Sequence, residues 1–464
     1  MELALLIDIG STYTKVTAID LETVELKGTA QAATTVAEDV NIGINKAIEE
    51  LRAMGVEPTE AKHKLACSSA AGGLKMIAVG LVPELTSEAA KRAALGAGAK
   101  VGHVFCYELT DDELDQITKY SPDIILLAGG TDGGNKDVII HNAKKLAELK
   151  VDAPIIVAGN KTAASAVEKV LRAASKEVYV AENVMPKLEC LNIEPAKKII
   201  REVFLNRIIY AKGLAKVSEY VDSPIIPTPS AVMKAAKLLA KGSNNEAGLG
   251  DVMVVDIGGA TTDVDSAATG EPTKQGVTLR GLEEPFVKRT VEGDLGMRYS
   301  ALALVEEVGI KNILKNYLPP NIEEKMLVEY VEKISKNTDY VPCDDIEKEI
   351  DAGIAKAATD LAVKRHVGRI ETVYSPFGAA YVQHGKDLTQ LNYLIGTGGI
   401  LIYGENPKEI LKHGLYDSSQ PDILAPENPK ILLDEKYLLS SIGLLSEIVP
   451  DKALRLAKQY LKEI

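Results

Sequence analysis

Leu3 to Ile9 is an almost unbroken apolar run, the pattern of a strand buried on both faces. Lys15–Asp20 and Val24–Ala30 read as two further short strands, and from Glu38 to Met54 the apolar spacing lengthens to that of a helix. Strand–loop–helix units follow. Strands are predicted at Pro122–Gly130, Pro154–Asn160 and Glu177–Ala181, with helices over Asp137–Leu149 and Thr162–Ala174, so a mostly parallel sheet is expected. Glu194–Val221 is helical by period, three prolines interrupt 223–230, and a helix over Ala231–Lys241 follows. Gly242–Gly250 reads as a linker. Residues 300–366 are helical and highly charged, the pattern of an inserted helical subdomain. Leu391–Tyr403 reads as strand–glycine–strand, and Tyr437–Leu461 as a terminal helical region.

The pattern contains one internal repeat. Leu5-Leu-Ile-Asp-Ile-Gly-Ser-Thr-Tyr-Thr-Lys-Val aligns with Met253-Val-Val-Asp-Ile-Gly-Gly-Ala-Thr-Thr-Asp-Val, pairing Asp8 with Asp256, Gly10 with Gly258, Thr14 with Thr262 and Lys15 with Asp263. Each copy is a buried strand ending in Asp, a turn of small residues and a second strand. Such turns let several backbone N–H groups converge on an anion, so phosphate is the favoured ligand. Ser11, Thr12 and Thr261 add hydroxyl donors, and Lys15 adds a compact positive charge. A carboxylate at each strand end would repel bare phosphate. A divalent cation between Asp8 and Asp256 is therefore implied, and Mg²⁺ suits a site with few protein carboxylates.

Composition narrows the classes. With 53 basic and 66 acidic residues in 464, the net charge is −13, which argues against a nucleic-acid binder. The absence of Trp and the count of 4 Phe favour a site of backbone amides over aromatic platforms. Cys67, Cys106, Cys190 and Cys343 show no metal-ligand spacing, and reduced, mostly buried thiols are expected. Met1-Glu2 leads straight into a strand and no apolar run reaches ~20 residues, so neither a leader nor a membrane span is expected and the cytoplasm is the default.

These motifs resemble the actin, sugar-kinase and heat-shock-chaperone ATPase superfamily. The resemblance implies an α/β actin-like ATPase fold: two similar ribonuclease-H-like lobes around an interlobe nucleotide cleft, with a helical insertion in the second. It places the first lobe at 1–245 and the second at 246–464, with the insertion at about 300–366. ATP with Mg²⁺ would be the ligand. Asp8, Ser11 and Lys15 fit the first phosphate motif, with Gly10 and Thr12 in its turn; Asp256, Gly258, Gly259, Thr261 and Asp263 fit the second, with Ala260 in its turn. Gly396, Thr397, Gly398 and Gly399 fit the adenosine motif, and the helix after Thr228 and the Ser441–Leu445 segment resemble the connecting helices. Asp8, Lys15, Asp256 and Asp263 would carry the chemistry, with Asp8 and Asp256 at the metal. The position where relatives carry a water-orienting acid or amide offers Thr228, so slow hydrolysis is expected unless Asp263 or a partner supplies the missing function.

More narrowly, the opening D-I-G-S-T-x-T-K, Ala128–Asn135 (A-G-G-T-D-G-G-N) and Glu292–Arg298 (E-G-D-L-G-M-R) are similar to the MutL/GlmL family. Its members are accessory proteins of cobalamin-dependent glutamate mutase and related aminomutases, unrelated to the mismatch-repair protein of similar name. The resemblance implies an ATP-dependent reactivating chaperone with mutase subunits as partners, and is compatible with a homodimer. A small-molecule kinase, an amide-cleaving ATPase or an actin-like scaffold are the alternatives. Ala128–Asn135 reads as a strand–helix turn, or as presenting Asp132 to nucleotide. For Glu292 and Asp294, contact with metal-bound water or ribose stands beside a plain helix start capped by Asp294. Lys364-Arg-His reads as a surface feature at a helix end.

Overall fold

The computed structural model describes residues 2–10, 13–35, 39–69, 74–204, 215–375 and 378–464. The chain divides into two compact units, Met1–Val232 with Gly281–Glu283, and Met233–Arg280 with Glu284–Ile464.

The first unit opens with β1 (Leu3–Ile9), β2 (Tyr13–Asp20), β3 (Glu25–Ala33), α1 (Val40–Ala53) and β4 (His63–Ser68). An inserted run follows: β5 (Lys75–Gly80), α2 (Glu88–Gly96), β6 (Lys100–Cys106), α3 (Asp111–Tyr120), β7 (Ile124–Leu127), α4 (Asp137–Glu148), β8 (Ile155–Val157), α5 (Lys161–Ala173), β9 (Val178–Val180) and α6 (Glu194–Phe204). The unit closes with α7 (Ala215–Tyr220), β10 (Ile226–Pro227) and the first residues of α8 (Thr228–Lys241).

Its leading sheet has the order β10-β4-β1-β2-β3, antiparallel through β3-β2-β1 and parallel through β1-β4-β10. Ile44, Ala47, Ile48 and Leu51 of α1 pack on Leu5, Ile7, Val16 and Ala18. That helix starts where the Asp39 carboxylate accepts the Asn41 N–H at 2.9 Å, satisfying an orphan donor of the first turn.

The inserted run forms a second sheet, β6-β5-β7-β8-β9, parallel throughout. Successive strand residues face opposite sides. Met76, Ala78, Ile124, Leu126 and Ile156 pack against α2 and α6, whereas Ile77, Val79, Ile125, Leu127 and Ile155 join a cluster with α3, α4 and α5. Two covered faces account for the continuous apolar runs. The parallel sheet is as expected; its separateness, and strands β4 to β6, are not visible in the sequence pattern.

The second unit contains the rest of α8, then β11 (Val252–Ile257), β12 (Thr262–Ala267), β13 (Val277–Arg280) and β14 (Val287–Glu292). Four helices follow: α9 (Ala301–Val308), α10 (Ile310–Asn316), α11 (Glu324–Lys336) and α12 (Asp345–His366). Then come β15 (Arg369–Ser375), β16 (Gly378–His384), β17 (Tyr393–Thr397), α13 (Gly399–Tyr403), α14 (Pro407–Lys412), β18 (Lys430–Leu433), α15 (Leu439–Leu445), α16 (Pro450–Tyr460) and β19 (Lys462–Glu463). The main sheet runs β14-β12-β11-β17-β18-β19, antiparallel through β14-β12-β11 and parallel through β11-β17-β18. Its first five strands repeat the order and sense of the first unit's leading sheet. The helical insertion is as expected, and α9 to α12 supply much of this unit's core through Leu304, Leu327, Val331, Ile354 and Ala358.

Three readings are corrected. The segment after β17 is helical, because a short apolar run such as Ile400–Tyr403 does not distinguish strand from helix. Gly242–Gly250 is a tied-down turn inside the second unit: Asn245 donates to Asp451 at 2.7 Å, and Glu246 pairs with Arg455 at 3.1 Å and Lys458 at 2.9 Å. Only Cys67 among the four cysteines is buried, and Cys190 and Cys343 are exposed. Among the described residues, no helix is long and apolar enough to cross a membrane.

Candidate functional site

The described residues of the repeat pair in the same register in both copies. In the first hairpin Asp8 is the register partner of Lys15, and Ile9 that of Thr14. In the second, Asp256 pairs with Asp263 and Ile257 with Thr262. Each turn is closed by the same backbone bond, Gly10 N–H to Tyr13 O at 3.0 Å and Gly258 N–H to Thr261 O at 2.9 Å. A Cβ at Gly10 would lie 2.6 Å from Tyr13 O, and one at Gly258 would lie 3.0 Å from Thr261 O, so close backbone approach explains both glycines. Thr14 and Thr262 are both buried at the start of the return strand. Ser11 and Thr12 lie outside the described residues.

In the first unit, β1 carries Asp8 between Lys15 on β2 and Cys67 on β4. The hydroxyl of Thr228, at the start of α8, donates to Asp8 Oδ1 at 2.8 Å. Thr228 is thus engaged with the Asp8 carboxylate.

In the second unit, Asp263, Asp256 and Thr397 form one row across β12, β11 and β17. Gly398 has φ +107, and a Cβ there would lie 2.4 Å from Ile257 O, so this glycine passes directly against the base of the hairpin. The structure therefore brings together Asp256, Asp263, Thr397 and Gly398.

The amides of this turn have a defined direction. Met297 N–H donates to Gly258 O at 3.0 Å, Arg298 and Tyr299 N–H donate to Gly259 O at 2.8 and 2.9 Å, and the Ser300 hydroxyl is shared between Ala260 O and Gly293 O, each at 2.8 Å. In a trans peptide the N–H points opposite to the C=O. The N–H groups of Gly259, Ala260 and Thr261 are therefore turned away from 297–300, a run of donors on one side of the turn.

Behind this row stands an ion-pair set with no signal in the sequence. Arg289 of β14, almost fully buried, lies 3.3 Å from Asp263 and is the register partner of Asp265. Burial, with Asp263 and Asp256 nearby, pushes the Asp265 carboxyl up to about 8 against the opposing pull of Arg289.

Two tyrosines stand beside the Gly396–Gly399 segment. Tyr437, at φ +53, places its hydroxyl 3.7 Å from where a Gly399 Cβ would sit. Burial, then the nearby Asp256 charge, raises its pKa. Tyr403 lies with its ring centroid 6.4 Å from that of Tyr437. The spacing of four from Gly399 to Tyr403 is the one signal that could have found this pair, once the segment is read as helix.

Other expectations resolve differently. Arg365 of α12 binds Glu292 at 2.7 Å, Asp294 at 2.9 Å and Glu307 at 2.7 Å, so both acids of the Glu292–Arg298 motif are held by a guanidinium. The N-cap of α9 is Ser300. Lys364-Arg-His is no surface patch, since His366 is fully buried and its ring nitrogens lie 2.8 Å from Ser266 Oγ and 3.0 Å from Thr290 Oγ1. Asp132 accepts from Lys161 N–H and from Asn183, both at 3.0 Å, within the turn between β7 and α4.

An α/β chain whose two units each contain this hairpin, in sheets of one strand order, has the actin-like ATPase fold. The chain belongs to the MutL family, described as "MutL protein", whose profile matches residues 4–461. It is 52% identical over 469 residues to "Protein MutL" of Clostridium tetanomorphum, covering 100% of each chain. Among solved structures it is similar to the activator of 2-hydroxyisocaproyl-CoA dehydratase from Clostridium difficile with bound ADPNP (10% identity, 100% of this chain and 99% of that one, TM-score 0.32). It is also similar to (R)-2-hydroxyglutaryl-CoA dehydratase component A of Acidaminococcus fermentans (11% identity, 99% of each chain, TM-score 0.30).

Proposed function

We propose that this protein binds Mg·ATP through its two hairpin turns, hydrolyses it slowly, and uses nucleotide-driven closure to reactivate or maintain an adenosylcobalamin-dependent mutase. The observation that carries the nucleotide reading is the repeated turn, closed by the same bond and bearing Asp at the same register position in both units. In this reading the amides of Gly259, Ala260 and Thr261 take phosphate oxygens, Lys15 neutralises the terminal phosphate charge, and the segment Gly396–Gly399 with Tyr403 and Tyr437 receives the nucleoside.

Among the described residues there is no cluster of three or more His, Cys, Asp or Glu that could hold a metal. Single carboxylates beside small-residue turns instead fit an ion that keeps most of its waters, which is the habit of Mg²⁺. Asp8 and Asp256 would hold it, largely through water. When bound, it supplies charge neutralisation on the phosphates. Slow turnover is expected from Thr228, since an alcohol is a poor general base and this one is engaged with Asp8. The mutase partner rests on family membership and on 52% identity to a MutL protein over the full chain.

Calorimetry tests the site: Mg·ATP should bind the native protein and lose Mg²⁺-dependent affinity in Asp8→Ala and Asp256→Ala, with the fold retained by circular dichroism. Unchanged binding in both variants refutes the assignment. The partner is tested by retention of a purified cobalamin mutase on the immobilised protein with and without Mg·ATP. Retention that ignores nucleotide counts against nucleotide-driven closure.

A further inference from the structure

The Glu292–Arg298 motif is left without a role once Arg365 is seen to hold its two acids, yet its last residue is tied to the second hairpin turn. Arg298 N–H donates to Gly259 O at 2.8 Å. Its guanidinium binds Asp351 of α12 with two parallel bonds, at 2.9 and 3.0 Å, and donates a third at 2.7 Å to the carbonyl of Met297. Asp351 is 1% exposed, so its carboxylate is shielded from water, and the paired geometry is specific in direction as well as in charge. Gly296 completes the fit: a Cβ there would lie 2.3 Å from the Ala260 carbonyl carbon, so the segment is pressed onto the turn.

We propose that Arg298 is the positioning residue of the second phosphate turn. Anchored on Asp351, it fixes the segment 297–300. That segment holds the carbonyls of Gly258, Gly259 and Ala260 on one side and thereby presents the amides of Gly259, Ala260 and Thr261 on the other. Without the anchor, those carbonyls are released and the peptide planes can rotate. A carbonyl aimed at phosphate repels it where an amide attracts it. Preorganised donors of this kind lose their value when they must be reoriented on binding. The anchor sits on the longest helix of the insertion, so the same contact links phosphate occupancy to α12.

This inference rests on the nucleotide reading above, and the test separates the two. Mg·ATP and adenosine are titrated against the native protein, Arg298→Met, Arg298→Lys and Asp351→Asn, by calorimetry and by competition with a fluorescent ATP. Arg298→Met should weaken Mg·ATP at least tenfold while adenosine affinity stays within twofold, and Arg298→Lys should recover part of the loss. A merely structural contact would weaken both ligands alike. Equal weakening of both, or undiminished Mg·ATP binding, overturns the assignment while leaving the nucleotide reading in place. A native protein that binds no Mg·ATP overturns that reading itself. Should Arg298→Met fail to fold, Asp351→Asn carries the same comparison.

Discussion

The Thr228 hydroxyl donates a 2.8 Å hydrogen bond to Asp8, across 220 residues of sequence, and so joins the start of α8 to the end of β1. In the function proposed above, Thr228 orients the Asp8 carboxylate and does not abstract a proton. Thr228→Val keeps shape and removes the donor. A hydrogen bond to a charged group contributes about 1.5–3 kcal/mol, so Mg·ATP turnover should fall at least about tenfold while circular dichroism is unchanged. Turnover equal to or above the native value would show that the bond has no part in the site.

The two hairpins differ in how tightly their glycines are enclosed. The added methyl would lie 2.6 Å from Tyr13 O at position 10 and 3.0 Å from Thr261 O at position 258. Gly10→Ala should therefore cost about 2 kcal/mol and Gly258→Ala about 1 kcal/mol or less, within the usual range for overpacked sites. Urea unfolding followed by circular dichroism should show the larger midpoint shift for Gly10→Ala. The reverse order would mean that the turns do not hold these distances.

Both hairpins were legible because local rules fix them: a buried strand, a small-residue turn and a return strand determine the pairing of Asp8 with Lys15 and of Asp256 with Asp263. Thr228, Arg289 and Arg298 were not legible as a set. Each acts on a residue brought close only by tertiary packing, and an arginine in sequence carries no mark of the carboxylate it will meet. The inserted parallel sheet was half legible. Ile124–Leu127 and Ile155–Val157 stand out as apolar runs. Lys100–Cys106, with Gly102 and His103 at its centre, is a strand only because β5 pairs with it. His366 was misplaced because a basic triplet at a helix end suggests solvent, whereas the ring is enclosed by β12 and β14.

Tyr403 offers a signature opposite to that of Arg298. The tyrosine is 73% exposed, with its ring beside Tyr437 and one helical turn beyond Gly399. An aromatic face of this kind contributes about 0.5–1.5 kcal/mol to packing a planar base. Tyr403→Ala should therefore weaken adenosine and Mg·ATP by the same factor, about two- to tenfold. A loss confined to Mg·ATP would move Tyr403 from the nucleoside to the phosphates.

His366 gives the second unit a pH-dependent stability of definite sign. Burial, reinforced by the charges of Lys288 and Lys386, holds its pKa well below the ordinary 6.5, so the folded protein keeps it neutral. The unfolded chain protonates it near 6.5. Below that pH the unfolded state binds the extra proton, so the histidine's contribution is complete above about pH 7 and is lost as the solution becomes more acidic. In His366→Gln the side chain can still bond Ser266 and Thr290 but cannot titrate. The stability of the native protein relative to this variant should be constant above pH 7 and fall by about 1.4 kcal/mol per pH unit below pH 6. Urea unfolding at pH 8, 7, 6 and 5 measures the difference, in which the pH dependence of the other groups cancels. Parallel curves for the two proteins would place the His366 ring in contact with water.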